Sequence, residues 1–329
     1  MPTTDHRTGV GWHRPLLFFA AAMGVTGVIA IIGLIVDDRV VTGAPVWAKP
    51  LKFSISLAVY AVTWSWLMSL QHRYRRVGWW LGTGIAAAGA AEMVFIVTQV
   101  IRGRQSHFNT LTPFDALLYE IMGATSVVLF GLTLVWSLLL WRLPLGDRSF
   151  SSAIRSGAVL TLMGMVLAFL MTLPTESQLR VLEAGQPSLI GAHSVGVADG
   201  GPGLPLLGWS TTGGDLRIPH FVGLHALQAI PLLAALLGHL GTRVPRLAPE
   251  HRRLALIRVA AASYAGLTAL VTWQALRGQS IVAPDGLTLA AFAALVVLTA
   301  VGVAVGLSLP AGRTTVEQRP TAATPMPVS

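Results

Sequence analysis

The chain has 329 residues, of which 53% are apolar by type and only 11% charged, against roughly 25% charged in an ordinary soluble domain. That balance excludes a soluble globular enzyme, because runs of about twenty apolar residues need a bilayer as their solvent. The formal charge of +9 comes with no cysteine, which excludes disulfides, thiolate metal sites and thiol nucleophiles; the basic residues fall between apolar runs, a membrane-topology pattern and not that of a nucleic-acid partner.

In chain order, eight stretches are long enough to cross a hydrocarbon core of about 30 Å: 16–36, 51–70, 78–101, 115–141, 155–173, 219–240, 254–276 and 286–309. A tail, 1–15, precedes the first, which is too long and lacks the cleavage pattern of a removable signal. A Thr-, Pro- and Ala-rich tail, 311–329, follows the last and is expected to be disordered. Arginines concentrate at 73–76, 142–155 and 243–258, on the side that carries both tails. The positive-inside rule then makes both termini cytoplasmic.

Two pieces of the chain echo each other. Gln99-Val-Ile-Arg102-Gly103 at the end of the third span matches Gln274-Ala-Leu-Arg277-Gly278 at the end of the seventh, at an offset of 175. Lys49-Pro-Leu-Lys52-Phe53 aligns with Arg217-Ile-Pro-His220-Phe221 at 168, and Met23-Gly24 with Met163-Gly164 at 140. The matches are collinear, so the expected fold is all-α, two parallel-duplicated four-helix bundles (16–150 and 151–310) with a long outer loop at 175–218.

Most unusual residues fall on the predicted outer side. Glu92, Glu120 and His225 are the costly ones, since an ionisable group inside a bilayer has to face a partner or a wet cavity. Glu92 and Glu120 are candidate catalytic carboxylates or proton-relay groups. His107, His220 and His225 are candidate metal ligands, imidazole being the commonest. His220 and His225 are five apart, about 140° around a helix, so both reach one site only if the helix starts after His220. Arg102, Arg217 and Arg277 are candidate forks for an anionic group, and Gln228 shares a helix face with His225. Against 21 Arg the chain has two Lys, Lys49 and Lys52; a compact ammonium there suits a negative group at the membrane edge, although snorkelling explains it too. Structural roles compete at each position: helix caps for the histidines, a neutral hydrogen-bonded acid for the glutamates, lipid-phosphate anchoring for the arginines. In the long loop, the Gly/Pro-rich run 200–214 with Leu204, Leu206, Leu207 and Trp209 reads as a packed lid.

The stretches Lys49-Pro-Leu-Lys52-Phe, Arg102-Gly-Arg-Gln-Ser-His107-Phe-Asn109 and Gly213-Gly-Asp215-Leu-Arg217-Ile-Pro-His220-Phe-Val-Gly-Leu-His225-Ala-Leu-Gln228 resemble those of an uncharacterised family of bacterial integral membrane proteins, which implies no activity. The two-bundle layout is similar to haem-binding bundles such as haem A synthase, whose paired-histidine pattern is absent here.

The leading expectation is a membrane-embedded redox or metal-dependent enzyme, with haem or a transition metal as cofactor held through His225, and Glu120, Glu92 and His107 nearby. A proton-coupled transporter titrating Glu92 and His225, with Pro231 as a helix break, is the alternative; a receptor-like or assembly protein is a third. Expected partners are membrane lipids, an anionic small molecule or cofactor at the outer face, and a second copy in a homo-oligomer.

Overall fold

The computed structural model describes residues 11–71, 73–143 and 145–310. The expected tails, 1–10 and 311–329, lie outside the described residues. The helices in chain order are α1 (Arg14–Val36), α2 (Ala48–Ser69), α3 (Arg75–Ile101), α4 (Pro113–Trp141), α5 (Arg148–Leu167, extended by a 3-10 turn over Ala168–Thr172), α6 (Glu176–Glu183), α7 (Arg217–Leu224), α8 (Ala226–Gly241), α9 (Glu250–Leu276) and α10 (Gly286–Ser308). Two short hairpins accompany them, β1 (Val40–Val41) with β2 (Ala44–Pro45), and β3 (Ser194–Val195) with β4 (Gly214–Asp215). Seven helices are long and apolar enough to cross a membrane, and the bent pair α7–α8 makes an eighth.

Polar caps set the helix boundaries that hydropathy cannot see. Asp147 accepts from the Phe150 amide at 2.8 Å and starts α5 seven residues before the expected span. Thr112 caps α4, accepting from the Asp115 amide at 3.1 Å, and Asp285 caps α10, accepting from the Thr288 amide at 2.8 Å. His13 accepts from the Leu16 amide at 3.3 Å and is buried, so the end of the expected tail belongs to the folded body. The expected loop 175–218 is also largely built: Thr175 and Gln178 form a reciprocal capping box on α6, and the β3–β4 hairpin closes the rest.

Helix α1 packs on α2 and α3, and α3 on α4; α5 packs on α7, α8 and α9, and α9 on α10. The two groups meet where α4 touches α5 and where Leu227 of α8 joins the buried indoles of Trp64 and Trp136.

The sixth span breaks by 41° between Leu224 and Ala226, six residues before Pro231, where the sequence placed the break. The reason lies on the neighbours. Gly164 of α5 meets Gly223 so closely that a Cβ on Gly164 would stand 2.5 Å from the Gly223 carbonyl carbon, and this contact fixes where the chain bends. The Thr161 hydroxyl donates to the Leu224 carbonyl and accepts from the Leu227 amide, both at 3.1 Å, replacing the missing rungs. Tyr264 of α9 donates to the Val222 carbonyl at 2.6 Å. Broken backbone inside a bilayer persists only with such substitutes.

Candidate functional site

The site lies at the end of the bundle that holds the α1–α2, α3–α4, α5–α7 and α9–α10 connections. Lys49 and Lys52 stand on the first two turns of α2, both half-buried. The Lys49 ammonium stands 3.0 Å from Nδ1 of His107 and 5.8 Å from the centre of the Phe53 ring. His107 comes from the α3–α4 loop, which is stitched to the long loop: the Ile190 amide donates to the Phe108 carbonyl at 2.9 Å, and Asn109 pairs with Leu189.

That stitching brings in a residue the sequence reading did not single out. His193 packs on Phe108, ring centres 4.9 Å apart, and its Nδ1 lies 2.8 Å from Asp199. The Asp199 carboxylate also accepts from the His193 amide at 3.0 Å and the Ser194 amide at 2.8 Å. His220 of α7 donates through Nδ1 to the Gly164 carbonyl at 2.7 Å. The signal for the first pair was present as a His and an Asp six apart in a long loop, a spacing with no motif attached to it.

Burial pushes the His107 imidazole well below its ordinary 6.5, and the neighbouring Lys49 pushes the same way. His107 is therefore neutral near pH 7, and a Lys49 ammonium donating to Nδ1 leaves the proton on Nε2. Burial also lowers His193, with Asp199 opposing it incompletely. Burial raises Asp199, but the hydrogen bonds from His193 and Ser194 outweigh it and hold the carboxyl far below the usual carboxylate range. His193 and His220 thus each commit Nδ1–H to an oxygen and leave Nε2 as an open lone pair.

Charge is unbalanced here. Arg217 is neutralised by Asp215, which it grips through Nε at 2.9 Å and Nη2 at 2.5 Å. Neither Lys49 nor Lys52 has a carboxylate within 4.0 Å among the described residues. Lys52 instead donates to the Leu207 carbonyl at 2.8 Å, and Arg217 to the Gly208 carbonyl at 2.5 Å. These two cations clasp the expected lid, a hairpin closed by the Leu204 amide on the Trp209 carbonyl (2.8 Å) and the Thr211 amide on the Pro202 carbonyl (3.0 Å). Its tip, Leu206, is left-handed at φ +63° and 80% exposed. Deeper in the bundle, Glu92 is buried and accepts from Ser126 at 3.1 Å.

The structure therefore gathers Lys49, Lys52, His107, Arg217 and His220 at one end, with Glu92 beneath. It does not gather the rest. Glu120 is exposed on α4, because six residues separate it from Ser126 and turn it about 120° away from the face that meets Glu92. Arg102 is consumed by Asp115 at 2.5 Å and Gln99 at 2.6 Å, and Arg277 by Asp285 at 2.5 Å, so both brace loops. Gln228 donates to Thr63 at 3.2 Å and ties α8 to α2. His225 sits at the helix break with its ring 4.4 Å from that of Phe221. Among the described residues no group of three or more His, Asp or Glu is arranged to hold a metal ion, so the expected trio His107, His220 and His225 is not assembled as one. Comparisons with protein-family models, curated proteins and solved structures give no match to this chain.

Proposed function

We propose that the chain is a multi-pass membrane protein that binds and transfers a small anion past the cationic cluster under the lid, with Glu92 as the coupling carboxylate. The observation that carries this reading is the pair of half-buried lysines with no carboxylate within 4.0 Å among the described residues. Two ammonium groups drawn from water cost several kcal/mol unless an anion is supplied or a proton is shed, and among the described residues the acids stand more than 4.0 Å from both while neutral imidazoles offer further donors or acceptors. The broken span supports transfer, since discontinuous helices at binding sites are a recurring feature of carriers. An anion engaging Lys52 would compete with the Leu207 carbonyl and loosen the lid.

A four-plus-four duplication fits this picture. At the ends of both α3 and α9 an arginine clasps the aspartate of the next helix, stacks near an aromatic ring (4.6 Å to Phe114, 4.5 Å to Trp273) and precedes a left-handed glycine. The arginine distribution supports placing this end of the bundle away from the cytoplasm.

The test is reconstitution in proteoliposomes, with currents on addition of inorganic phosphate, sulfate and citrate at pH 6 to 8. The reading expects an anion-dependent current abolished in Lys49→Met and uncoupled from pH in Glu92→Gln; identical currents in the Lys49 variant refute it. The free Nε2 atoms of His193 and His220 favour a second reading, metal- or haem-dependent chemistry. An optical spectrum and metal analysis of purified protein decide it, through stoichiometric metal or a Soret band lost in His193→Ala.

A further inference from the structure

The opposite end of the bundle, which carries the start of α1 and the end of α10, holds a separate groove between α4, α5 and α9. Its mouth, toward the starts of α5 and α9, is lined by Arg148, Arg155 and Arg258, with Ser152 beside them, and its apolar wall, further along the two helices, by Val159, Met163 and Ala261. Among the described residues no acidic one lines it. The nearest carboxylates are committed elsewhere: Asp147 to the α5 cap and to Arg253 at 3.3 Å, Glu250 to the Arg148 backbone amide at 2.7 Å.

The three guanidinium groups have capacity to spare. Nε of Arg155 is buried without a hydrogen-bond partner, while its Nη2 makes one long contact, 3.4 Å, to the Leu143 carbonyl. Arg258 stands in the third turn of a membrane-spanning helix, exposed, with no ion pair or side-chain hydrogen bond among the described residues. An unpaired arginine at that depth is costly in hydrocarbon.

We infer that this groove binds one anionic phospholipid, its phosphate held by Arg155, Arg258 and Arg148 and an acyl chain lying along Val159, Met163 and Ala261. Charge selects against zwitterionic headgroups, and the apolar wall continuing from the cationic mouth selects a lipid over a free anion; interhelical basic pockets of this kind suit such headgroups.

Native mass spectrometry of the full chain in mild detergent, titrated with phosphatidylglycerol or phosphatidylcholine, tests it. One phosphatidylglycerol should bind preferentially, and the double variant Arg155→Gln/Arg258→Gln should weaken it roughly thirtyfold, about five- to sixfold per charge removed, with phosphatidylcholine unaffected. Ala261→Leu, which keeps every charge and narrows the groove, should also reduce binding. Equal affinity for both lipids, undiminished binding in both variants, or full displacement by millimolar inorganic phosphate would overturn the assignment.

Discussion

Replacing Thr161 by Val probes the device that lets the sixth span break. The substitution keeps the β-branched shape but removes the hydroxyl that bonds both Leu224 and Leu227 at 3.1 Å. Side-chain hydrogen bonds between membrane helices average about 0.6 kcal/mol and reach roughly 1.7, while a buried backbone group left unpaired costs about 1–3 kcal/mol. Two bonds vanish and two backbone groups are orphaned, so the expected loss runs from about 1 kcal/mol, two average bonds, to about 6 kcal/mol, two fully unpaired groups. Unfolding in SDS followed by circular dichroism reads it directly. Thr161→Ser, which keeps the hydroxyl, should lose less than about 1 kcal/mol, only a methyl group's worth. A valine variant as stable as the native protein, or a serine variant equally damaged, would refute the account of the bend.

Acidification should destabilise the fold. His107 and His193 are held below 6.5, so between their folded values and 6.5 the unfolded chain binds protons that the folded chain refuses, and stability falls as pH falls, by up to about 1.4 kcal/mol per pH unit for each. Melting temperature against pH, with His107→Asn showing a shallower slope, checks this. Gly214→Ala should abolish folded yield by size-exclusion chromatography, because a Cβ there would collide with the Ala275 carbonyl of α9; normal yield would contradict that packing. Glu120→Gln, on an exposed face, should leave stability and anion currents unchanged.

How much was legible follows from what each residue touches. The spans were readable because hydrocarbon imposes one length on every helix, and even the bent sixth span keeps that length as a pair. Its break was misplaced because Pro231 is visible in the sequence, whereas the determinants, Thr161 and Gly164, lie some sixty residues upstream on another helix. Lys49 and Lys52 stood out by their rarity alone. Arg102 and Arg277 looked like ligands, yet each already has an aspartate at the start of the next helix, a partner that spacing could have suggested but not oriented. His193 was invisible because the α3–α4 loop delivers Phe108 to it, a contact between distant segments. Glu120 lies on an exposed face that the sequence reading did not anticipate, because position along a helix was counted while rotation about it was not.

The central claim is that Lys49 and Lys52 await an anion that no carboxylate among the described residues provides within 4.0 Å. Thermal stabilisation of the detergent-purified protein by phosphate, sulfate and citrate, at constant ionic strength and against chloride, tests it most directly. The account predicts that at least one of these raises the melting temperature saturably and that Lys49→Met/Lys52→Met removes the effect. An equal rise in the double variant, or none with any of the three, would contradict it.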